Sequence, residues 1–368
     1  MIYFDSAGSY RTLESVKKIL CSSYEADFAN PSSSHILGEK LSSDIESARS
    51  NIAESIGCYS SEVLFTSGAT ESNNIAFKRI TNTQSRFHII TTAIEHKCIL
   101  AISHFMKMQG HEVSIIKPDK YGVINVESVK KAVQHNTKLV SVMHVNNELG
   151  TINPIKEIGK FCYENNLLFH TDAAQSFGKI QIDVDEYNID MMSLSAHKIG
   201  GPKGIGALYV RDLRSSDIEP IIHGAGQEFG LRGGTLPTPL IKGFDKAICD
   251  FPKIYSNKDF SLLCNNLFSL LNRYKIKFIV NGKLKLSSIS SITFLNIDIP
   301  LFMRETKGQF ALSQGSACSS KELEASHVLS AVGFSRKLAD NTLRVSFDHL
   351  TQETDINKLV KTLSKYKI

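Results

Sequence analysis

Residues 193–204 read Ser193-Leu194-Ser195-Ala196-His197-Lys198-Ile199-Gly200-Gly201-Pro202-Lys203-Gly204. An apolar run therefore leads into a histidine, a lysine and a glycine-rich turn. Glycines allow the backbone to pass close to a bound molecule. A lysine at the end of a buried strand is costly to keep charged, so Lys198 can serve as an amine nucleophile. The alternative is a lysine whose charged end reaches solvent from a surface loop.

The surrounding sequence, from about residue 60 to residue 211, alternates short apolar runs with amphipathic runs. We predict strands at Glu62–Thr66, His88–Thr92, Leu139–Val145, Leu167–Thr171, Met191–Ser195 and Gly206–Arg211. We predict helices at Glu71–Lys78, Ile99–Gln109 and Pro154–Asn165. Buried strands separated by helices indicate an α/β fold with a mostly parallel sheet covered on both faces. Ligands of such sheets bind at the carboxyl ends of the strands.

Polar side chains follow four of these predicted strands, namely Thr70, Asn147, Asp172 and the pair His197-Lys198. Thr70 lies in a strand–glycine–helix junction, where backbone N–H groups bind phosphate well, although a simple capped helix is the alternative. Asp172 ends an apolar strand, where a buried carboxylate needs a partner such as a protonated pyridine nitrogen; an ordinary N-cap aspartate is the alternative. An amine, a carboxylate and a phosphate site together are the requirements of pyridoxal phosphate.

The seven cysteines are scattered along the chain. None forms a CxxC pair, so we predict neither a metal site nor a disulfide framework. Six are expected to be small buried residues or inert surface thiols, namely Cys21, Cys58, Cys98, Cys162, Cys249 and Cys264. Cys318 differs, because it lies in the small, polar stretch Gln314-Gly315-Ser316-Ala317-Cys318-Ser319-Ser320. That stretch predicts an exposed loop with an accessible nucleophilic thiol, and an incidental loop cysteine is the alternative.

The length of 368 residues suits two domains. We predict a large domain at residues 15–255 and a small α+β domain made of residues 1–14 and 256–368. The elements predicted for the small domain are helices at Phe260–Tyr274 and Thr354–Tyr366 and strands at Ser291–Leu295 and Thr342–Phe347.

Composition and charge argue against several classes of protein. The net charge is +5, without a basic cluster interleaved with aromatic residues, so no direct nucleic-acid binding is predicted. No apolar run approaches the ~18 residues of a membrane helix, so no membrane association is predicted. The start, Met1-Ile2-Tyr3-Phe4-Asp5, lacks the pattern of a signal peptide. A reducing cytoplasm is the expected location.

Taken together, these segments resemble the NifS/IscS-type cysteine desulfurases, within the class-V aminotransferase-like, fold-type I pyridoxal-phosphate enzymes. The resemblance extends from Phe4 to about Phe347. Its most specific motifs are Asn30-Pro31-Ser32-Ser33, Phe65–Glu71, Glu95-His96-Lys97, Met143-His144-Val145-Asn146-Asn147-Glu148, Asp172–Gln175, Ser195–Lys198, Gly201-Pro202-Lys203-Gly204, Arg232-Gly233-Gly234-Thr235-Leu236-Pro237 and Gly315-Ser316-Ala317-Cys318. It implies a large domain with a mostly parallel seven-stranded sheet flanked by helices, plus a smaller α+β domain.

The resemblance also implies a role for each matching residue. Lys198 would bond covalently to the cofactor, Asp172 would pair with the pyridine nitrogen, and Gln175 would bond the ring hydroxyl. His96 would stack on the ring and assist proton transfer. The phosphate would be held by Ala69 (through its backbone), Thr70, Ser195 and His197, with Thr235 added from the neighbouring subunit of a homodimer. Asn147, also in contact with the cofactor, would orient the substrate carboxylate together with Arg344.

The activity that the resemblance implies is conversion of L-cysteine to L-alanine, with the sulfur held as a persulfide on Cys318. A protein acceptor would then take the sulfur into iron–sulfur assembly, tRNA thiolation or DNA phosphorothioation. Two segments depart from the family pattern, Ala7-Gly8-Ser9-Tyr10 and Ser346-Phe347-Asp348-His349.

Two alternatives remain open at this point. One is a selenocysteine lyase or another class-V aminotransferase or lyase, which would keep Lys198 and Asp172 but need no loop thiol. The other, motivated by the two atypical segments, is a catalytically weak subunit of a sulfur-transfer complex.

Overall fold

The computed structural model of the chain describes residues 1–80, 85–215, 218–314 and 326–368. The strands are β1 (Ile2–Tyr3), β2 (Val63–Thr66), β3 (His88–Thr92), β4 (Glu112–Ile116), β5 (Thr137–Ser141), β6 (Leu168–Asp172), β7 (Met191–Ser195), β8 (Gly206–Val210), β9 (Phe278–Asn281), β10 (Ile289–Phe294), β11 (Phe310–Ala311), β12 (Ser313–Gln314) and β13 (Thr342–Ser346). The helices are α1 (Glu14–Ala26), α2 (Ile36–Ile56), α3 (Ala69–Lys78), α4 (Lys97–Met108), α5 (Val126–Ala132), α6 (Ile155–Glu164), α7 (Thr238–Ser256), α8 (Phe260–Arg273), α9 (Ile299–Glu305), α10 (His327–Ala331), α11 (Arg336–Asp340) and α12 (Glu353–Leu363).

Seven strands form one sheet in the order β2-β8-β7-β6-β5-β3-β4. The five strands from β7 to β4 pair in parallel, whereas β8 is antiparallel to both β2 and β7. The mostly parallel seven-stranded sheet is therefore confirmed. Because β8 opposes both neighbours, β2 points the same way as β7. Thr66 and Ser195 both pair with Gly206, so the carboxyl ends of β2 and β7 meet at one edge.

Helices cover both faces of this sheet, as the near-continuous apolar strands predicted. Along β2, Val63 and Phe65 pack into a core that includes Ile45 of α2. Leu64, which points to the opposite face, packs into a second core with Ile75 of α3. This assignment follows from the alternation of side chains along a strand. Burial on both faces explains why these strands read as apolar runs and not as alternating ones.

A second, antiparallel sheet has the order β12-β13-β10-β9. Helices α8 and α12 pack against one another, and a separate core contains Leu267, Leu343 and Leu359 from these elements. Phe4 belongs to the same core, and β1 pairs in parallel with β11. The first residues of the chain thus pack with its last hundred residues. The domain boundaries at residues 14 and 255 stay a prediction.

The observed elements differ from the predicted ones mainly at their ends. His88–Thr92 and Met191–Ser195 coincide with β3 and β7, while the strand predicted at Leu139–Val145 ends at Ser141. Beyond Ser141 the chain still bonds to β6 through isolated contacts, such as Val142 N to His170 O at 3.1 Å. Strand β4 was not predicted. It lies at the sheet edge, where only Ile116 is buried, so its sequence lacks the continuous apolar run of a central strand.

No helix within the described ranges is both long enough and apolar enough to cross a membrane.

Candidate active site

A cavity of about 550 Å³ lies at the carboxyl edge of the large sheet. The predicted site residues that line it are Ala69, Thr70, His96, Asn147, Asp172, Gln175, Ser195, His197 and Lys198. They come from segments separated by up to about 130 residues, and the parallel strands bring them together because their carboxyl ends share one edge.

The predicted phosphate-binding turn lies between β2 and α3. Gly68 has φ 148°, a conformation that residues with a Cβ rarely adopt. A Cβ on Gly206 would lie 2.6 Å from the Cα of Gly68, so the absence of both side chains lets α3 begin close to β8. The first residues of α3, Ala69 and Thr70, face the cavity together with Lys203. A helix N-terminus beside a lysine attracts an anion.

His197 lies on the other side of this anion site. Its Nδ1 is 3.2 Å from Ser9 Oγ. Burial lowers the pKa of His197 to about 4, and the positive charges of Lys198 and Lys203 add to the effect. The ring is therefore neutral at pH 7 and contributes to anion binding through a ring N–H and not through charge.

Asp172 is the last residue of β6 and is nearly inaccessible to solvent. Its Oδ1 accepts a hydrogen bond from the backbone N–H of Ala174, and its Oδ2 accepts one from Asn73 Nδ2, each at 2.9 Å. Both of these donors are uncharged. A buried carboxylate that faces a cavity and is held by neutral donors suits a cationic ligand group.

Lys198 ends a short 3-10 turn, Ala196–Lys198, which directly follows β7. Its Nζ donates to the carbonyl oxygens of Ala7 and Gly8, at 2.8 Å each. The N-terminal segment therefore forms one wall of the cavity and holds the lysine amine there.

Gln175 is buried between this N-terminal segment and a second lysine. Its Nε2 donates to Ala7 O at 2.7 Å, and its Oε1 accepts from Lys179 Nζ at 3.3 Å. Burial, followed by the charge of Lys198, lowers the pKa of Lys179 to about 7. Because a lysine only donates, this contact fixes the orientation of the amide, with its N–H groups on the side of the cavity.

His96 is the N-cap residue of α4, and its Nδ1 accepts from the backbone N–H of Cys98 at 3.3 Å. Burial lowers the pKa of His96, while the charge of Asp172 acts in the opposite direction. Cys98 Sγ lies 3.0 Å from the same Nδ1, and Cys98 lines the cavity. The prediction that Cys98 is an inert thiol agrees with its burial, which raises the pKa of the thiol to about 11, but the sequence did not place it beside the site. Its position two residues after His96, at a helix start, was the available signal.

Two of the predicted site residues that the structure describes, Thr235 and Arg344, do not line this cavity. Thr235 is exposed. Arg344 lies behind Asn147, with Nη1 2.7 Å from Asn147 O and Nη2 2.7 Å from Asp5 Oδ1. Cys318 lies outside the described residues. The roles assigned to these three residues stay predictions.

The cavity fits pyridoxal phosphate. It combines an amine at Lys198, a buried carboxylate at Asp172 and an anion site at the start of α3, in a volume typical of small-molecule sites. A metal site is not indicated in the part of the chain that the structure describes, where no group of three or more His, Cys, Asp or Glu side chains could hold an ion.

Comparison with known proteins gives consistent matches over nearly the whole chain. The family described as Aminotransferase class-V matches residues 2–359. A protein named cysteine desulfurase IscS, from Rickettsia typhi, is 40% identical over 381 residues, which cover 98% of this chain and 90% of that protein.

Two solved structures have the same fold. One, described as SspA in complex with cysteine, has a TM-score of 0.87 and 43% identity, covering 96% of this chain and all of that chain. The other, described as a NifS-like protein, has a TM-score of 0.91 and 33% identity, covering 99% of this chain and 98% of that chain.

Proposed function

Because the chain belongs to the class-V aminotransferase family and, within it, to the pyridoxal-phosphate-dependent NifS/IscS-type cysteine desulfurases, we propose that it converts L-cysteine to L-alanine and holds the sulfur as a persulfide on Cys318. The observation that carries the proposal is the meeting of Lys198, Asp172 and the N-terminus of α3 in one cavity. The related SspA structure is described as a complex with cysteine, which supports cysteine as the substrate.

Bound pyridoxal phosphate supplies an electron-accepting ring that stabilises negative charge at the substrate Cα. Asp172 holds the proton of the ring nitrogen, since its two oxygens are oriented by Asn73 and Ala174. Gln175 would donate an amide N–H to the ring hydroxyl, because Lys179 occupies its Oε1. Ala69 and Thr70, which line the cavity at the start of α3, would hold the phosphate.

Lys198 would be the residue that holds the cofactor covalently. When its amine is free, the carbonyl oxygens of Ala7 and Gly8 hold Nζ in the cavity, where it could take the Cα proton of the substrate. His96, which lines the cavity, would contact the ring and assist proton transfer. Asn147, which lines the cavity, and Arg344, which donates to Asn147 O, would orient the substrate carboxylate.

The sulfur step involves the thiol of Cys318. Its thiolate attacks the sulfur of cysteine, so that a new S–S bond forms while the Cβ–S bond breaks and its electron pair stays on carbon. Uptake of a proton at that carbon and return of the proton removed from Cα complete alanine, and the persulfide remains on the protein. One cysteine and one thiol thus give one alanine and one persulfide. An acceptor protein then takes the outer sulfur.

We further propose a homodimer in the cytoplasm, with Thr235 contributing to the phosphate site of the neighbouring subunit. Thr235 is exposed in the single chain, as a residue that acts across an interface must be. The six cysteines in the described part of the chain are free, which is consistent with a reducing compartment.

Borohydride reduction of the cofactor-loaded protein, followed by peptide mapping, tests the cofactor site. We expect the label on Lys198 alone, and no label in Lys198→Ala, because the reduced bond joins this amine to the cofactor. Lys179→Ala is the matched control, since Lys179 is a second lysine of lowered pKa, in contact with Gln175, and it should leave the label in place. A label on another residue would overturn the assignment.

Substitution of Cys318 tests the sulfur step. In Cys318→Ser we expect sulfide release from cysteine in the presence of a thiol reductant to fall at least about 100-fold, since the nucleophile is lost. The absorbance of the bound cofactor should persist. Unchanged turnover would instead favour a selenocysteine lyase or another class-V aminotransferase or lyase.

A further inference from the structure

Cys98 contacts the side chains of His96, Asn73 and Thr70 in the wall of the cavity. Its Sγ lies 3.0 Å from His96 Nδ1 and 3.3 Å from Asn73 Nδ2. Burial raises the pKa of the Cys98 thiol to about 11, so at pH 7 the sulfur carries a hydrogen that it can donate. Neither Cys98 nor Asn73 was expected to take part in the site.

Asn73 is fully buried in α3. Its Nδ2 donates to Asp172 Oδ2 at 2.9 Å as well as to Cys98 Sγ, while its Oδ1 has no hydrogen-bond partner among the described residues. A buried carbonyl oxygen without a partner costs on the order of 1–3 kcal/mol. The two hydrogen bonds that the amide donates therefore fix its orientation, although this orientation leaves its oxygen without a partner.

We propose that Asn73 and Cys98 are positioning residues that orient Asp172 and set the tautomer of His96, with the imidazole hydrogen on Nε2. This inference deepens the proposed function, because it concerns two side chains assigned to the cofactor ring.

In the arrangement of hydrogens that we infer, the backbone N–H and the thiol of Cys98 share the single lone pair of His96 Nδ1. The backbone N–H of Cys98 can only donate, so His96 Nδ1 must be the acceptor. Asn73 uses its two amide hydrogens on Asp172 and on Cys98. The Cys98 sulfur, which accepts one of these, donates its own hydrogen to His96 Nδ1. The neutral imidazole therefore carries its hydrogen on Nε2, the nitrogen with which it can give a proton to a bound ligand.

Charged groups from four directions also act on His96. Asp172 on β6 favours the protonated ring, while Lys198 after β7, His327 at the start of α10 and the adjacent Lys97 disfavour it. Burial is the largest influence and also disfavours the protonated ring. Burial therefore favours the neutral ring, and the thiol and the backbone N–H of Cys98 favour the tautomer of that ring with its hydrogen on Nε2.

Spectra of the cofactor-free chain labelled with ¹⁵N-histidine test this directly, with His96→Gln to assign the signals. We expect His96 to show the Nε2–H tautomer. Cys98→Ala should raise the pKa of His96 by roughly half a unit to one unit, because it removes a hydrogen bond that stabilises the neutral ring. Cys98→Ser keeps a hydrogen-bond donor and should restore the wild-type pKa of His96. Cys21→Ala, at an exposed site, should leave that pKa unchanged.

An Nδ1–H tautomer, or a His96 pKa that is unchanged in Cys98→Ala, would overturn the proposal. Since no cofactor or substrate is present, the result does not depend on whether the chain is a desulfurase.

A second measurement addresses Asn73. Asn73→Ala should weaken pyridoxal-phosphate binding roughly tenfold, because Asp172 loses one of its two donors. Asn74→Ala is the matched control, since Asn74 is the adjacent residue of α3 and bonds only its own helix, at Thr70 O. If Asn73→Ala and Asn74→Ala bind pyridoxal phosphate with equal affinity, Asn73 is not a positioning residue for Asp172.

Discussion

At the scale of single residues, Glu95 is a buried acid beside the site with a strongly raised pKa. It is fully buried between the end of β3 and the start of α4. Its Oε1 accepts from Thr92 Oγ1 at 2.8 Å and from the Met143 backbone N–H at 2.9 Å. Burial, with the charge of Asp172 as a smaller contribution, raises the pKa of Glu95 to about 8. The side chain is therefore protonated in the folded protein at pH 7.

This raised pKa predicts a pH dependence of stability. Between about pH 4.5 and pH 8 the folded chain keeps a proton on Glu95 that the unfolded chain has released, so stability falls as pH rises through this window. Glu95→Gln cannot ionise. Compared with Glu95→Gln, the wild type should lose up to about 1.4 kcal/mol of unfolding free energy for each unit of rising pH.

Thermal unfolding of both proteins without cofactor, at pH 5, 6.5 and 8, measures the difference. Glu157→Gln, at an exposed site, is the control and should run parallel to the wild type. If the difference in stability between the wild type and Glu95→Gln does not change with pH, the pKa of Glu95 is not raised.

At the scale of secondary-structure elements, the junction of β2, α3 and β8 positions the anion site. Gly206 opens β8 and passes close to Gly68, which caps α3. A Cβ at position 206 would lie 2.4 Å from Leu194 O and 2.6 Å from the Cα of Gly68. Backbone atoms cannot yield as a flexible side chain can, so such a Cβ would push the helix start away from the sheet.

Gly206→Ala should therefore destabilise the protein by about 1–3 kcal/mol and weaken pyridoxal-phosphate binding tenfold or more. Equilibrium titration of the cofactor-free protein gives the affinity, and thermal unfolding gives the stability. Gly308→Ala is the matched control, because a Cβ at that exposed position would meet nothing within 4 Å. Wild-type affinity in Gly206→Ala would show that α3 does not depend on this close approach.

At the scale of the whole molecule, the two atypical segments pack against each other. Tyr10 Oη accepts from the backbone N–H of His349 at 2.8 Å, and the two rings stack with their centroids 5.6 Å apart. Arg11 Nε lies 2.9 Å from the buried carboxylate of Asp348. The departures from the family pattern are therefore complementary, and they join the N-terminal segment to the second sheet beside Lys198. This packing argues against the alternative that the chain is a catalytically weak subunit of a sulfur-transfer complex.

The proposed dimer makes a prediction at the same scale. In a hybrid of a Lys198→Ala subunit with a Thr235→Ala subunit, one of the two sites would combine an intact Lys198 with an intact Thr235 from its neighbour. We expect the hybrid to recover about half of the wild-type cofactor-binding sites at wild-type affinity. Separately tagged subunits, co-expressed and purified as the hybrid, allow cofactor titration. Affinity as weak as in the Thr235→Ala homodimer would mean that Thr235 acts within its own chain.

Much of the large sheet could be predicted because its strands are buried on both faces. β3 and β7 are buried along their whole length and were predicted with their observed ends. The edge strand β4 was not predicted, because only Ile116 is buried there. The residues at the ends of the buried strands, such as Asp172 and Lys198, stand out since charged groups are rare at buried positions.

The sequence by itself determined the chemistry, because covalent attachment of a cofactor and pairing of its ring require particular residue types at strand ends. Only the tertiary structure decided which neighbours orient those residues. Asn73 and the carbonyl groups of Ala7 and Gly8 come from other parts of the chain, and nothing local in their sequence marks them. Cys98 has one local signal, its position two residues after His96, but its contact with Asn73 depends on the fold. Hydrogen bonds between distant segments depend on the packing of the elements that carry them, and that packing is a property of the whole fold.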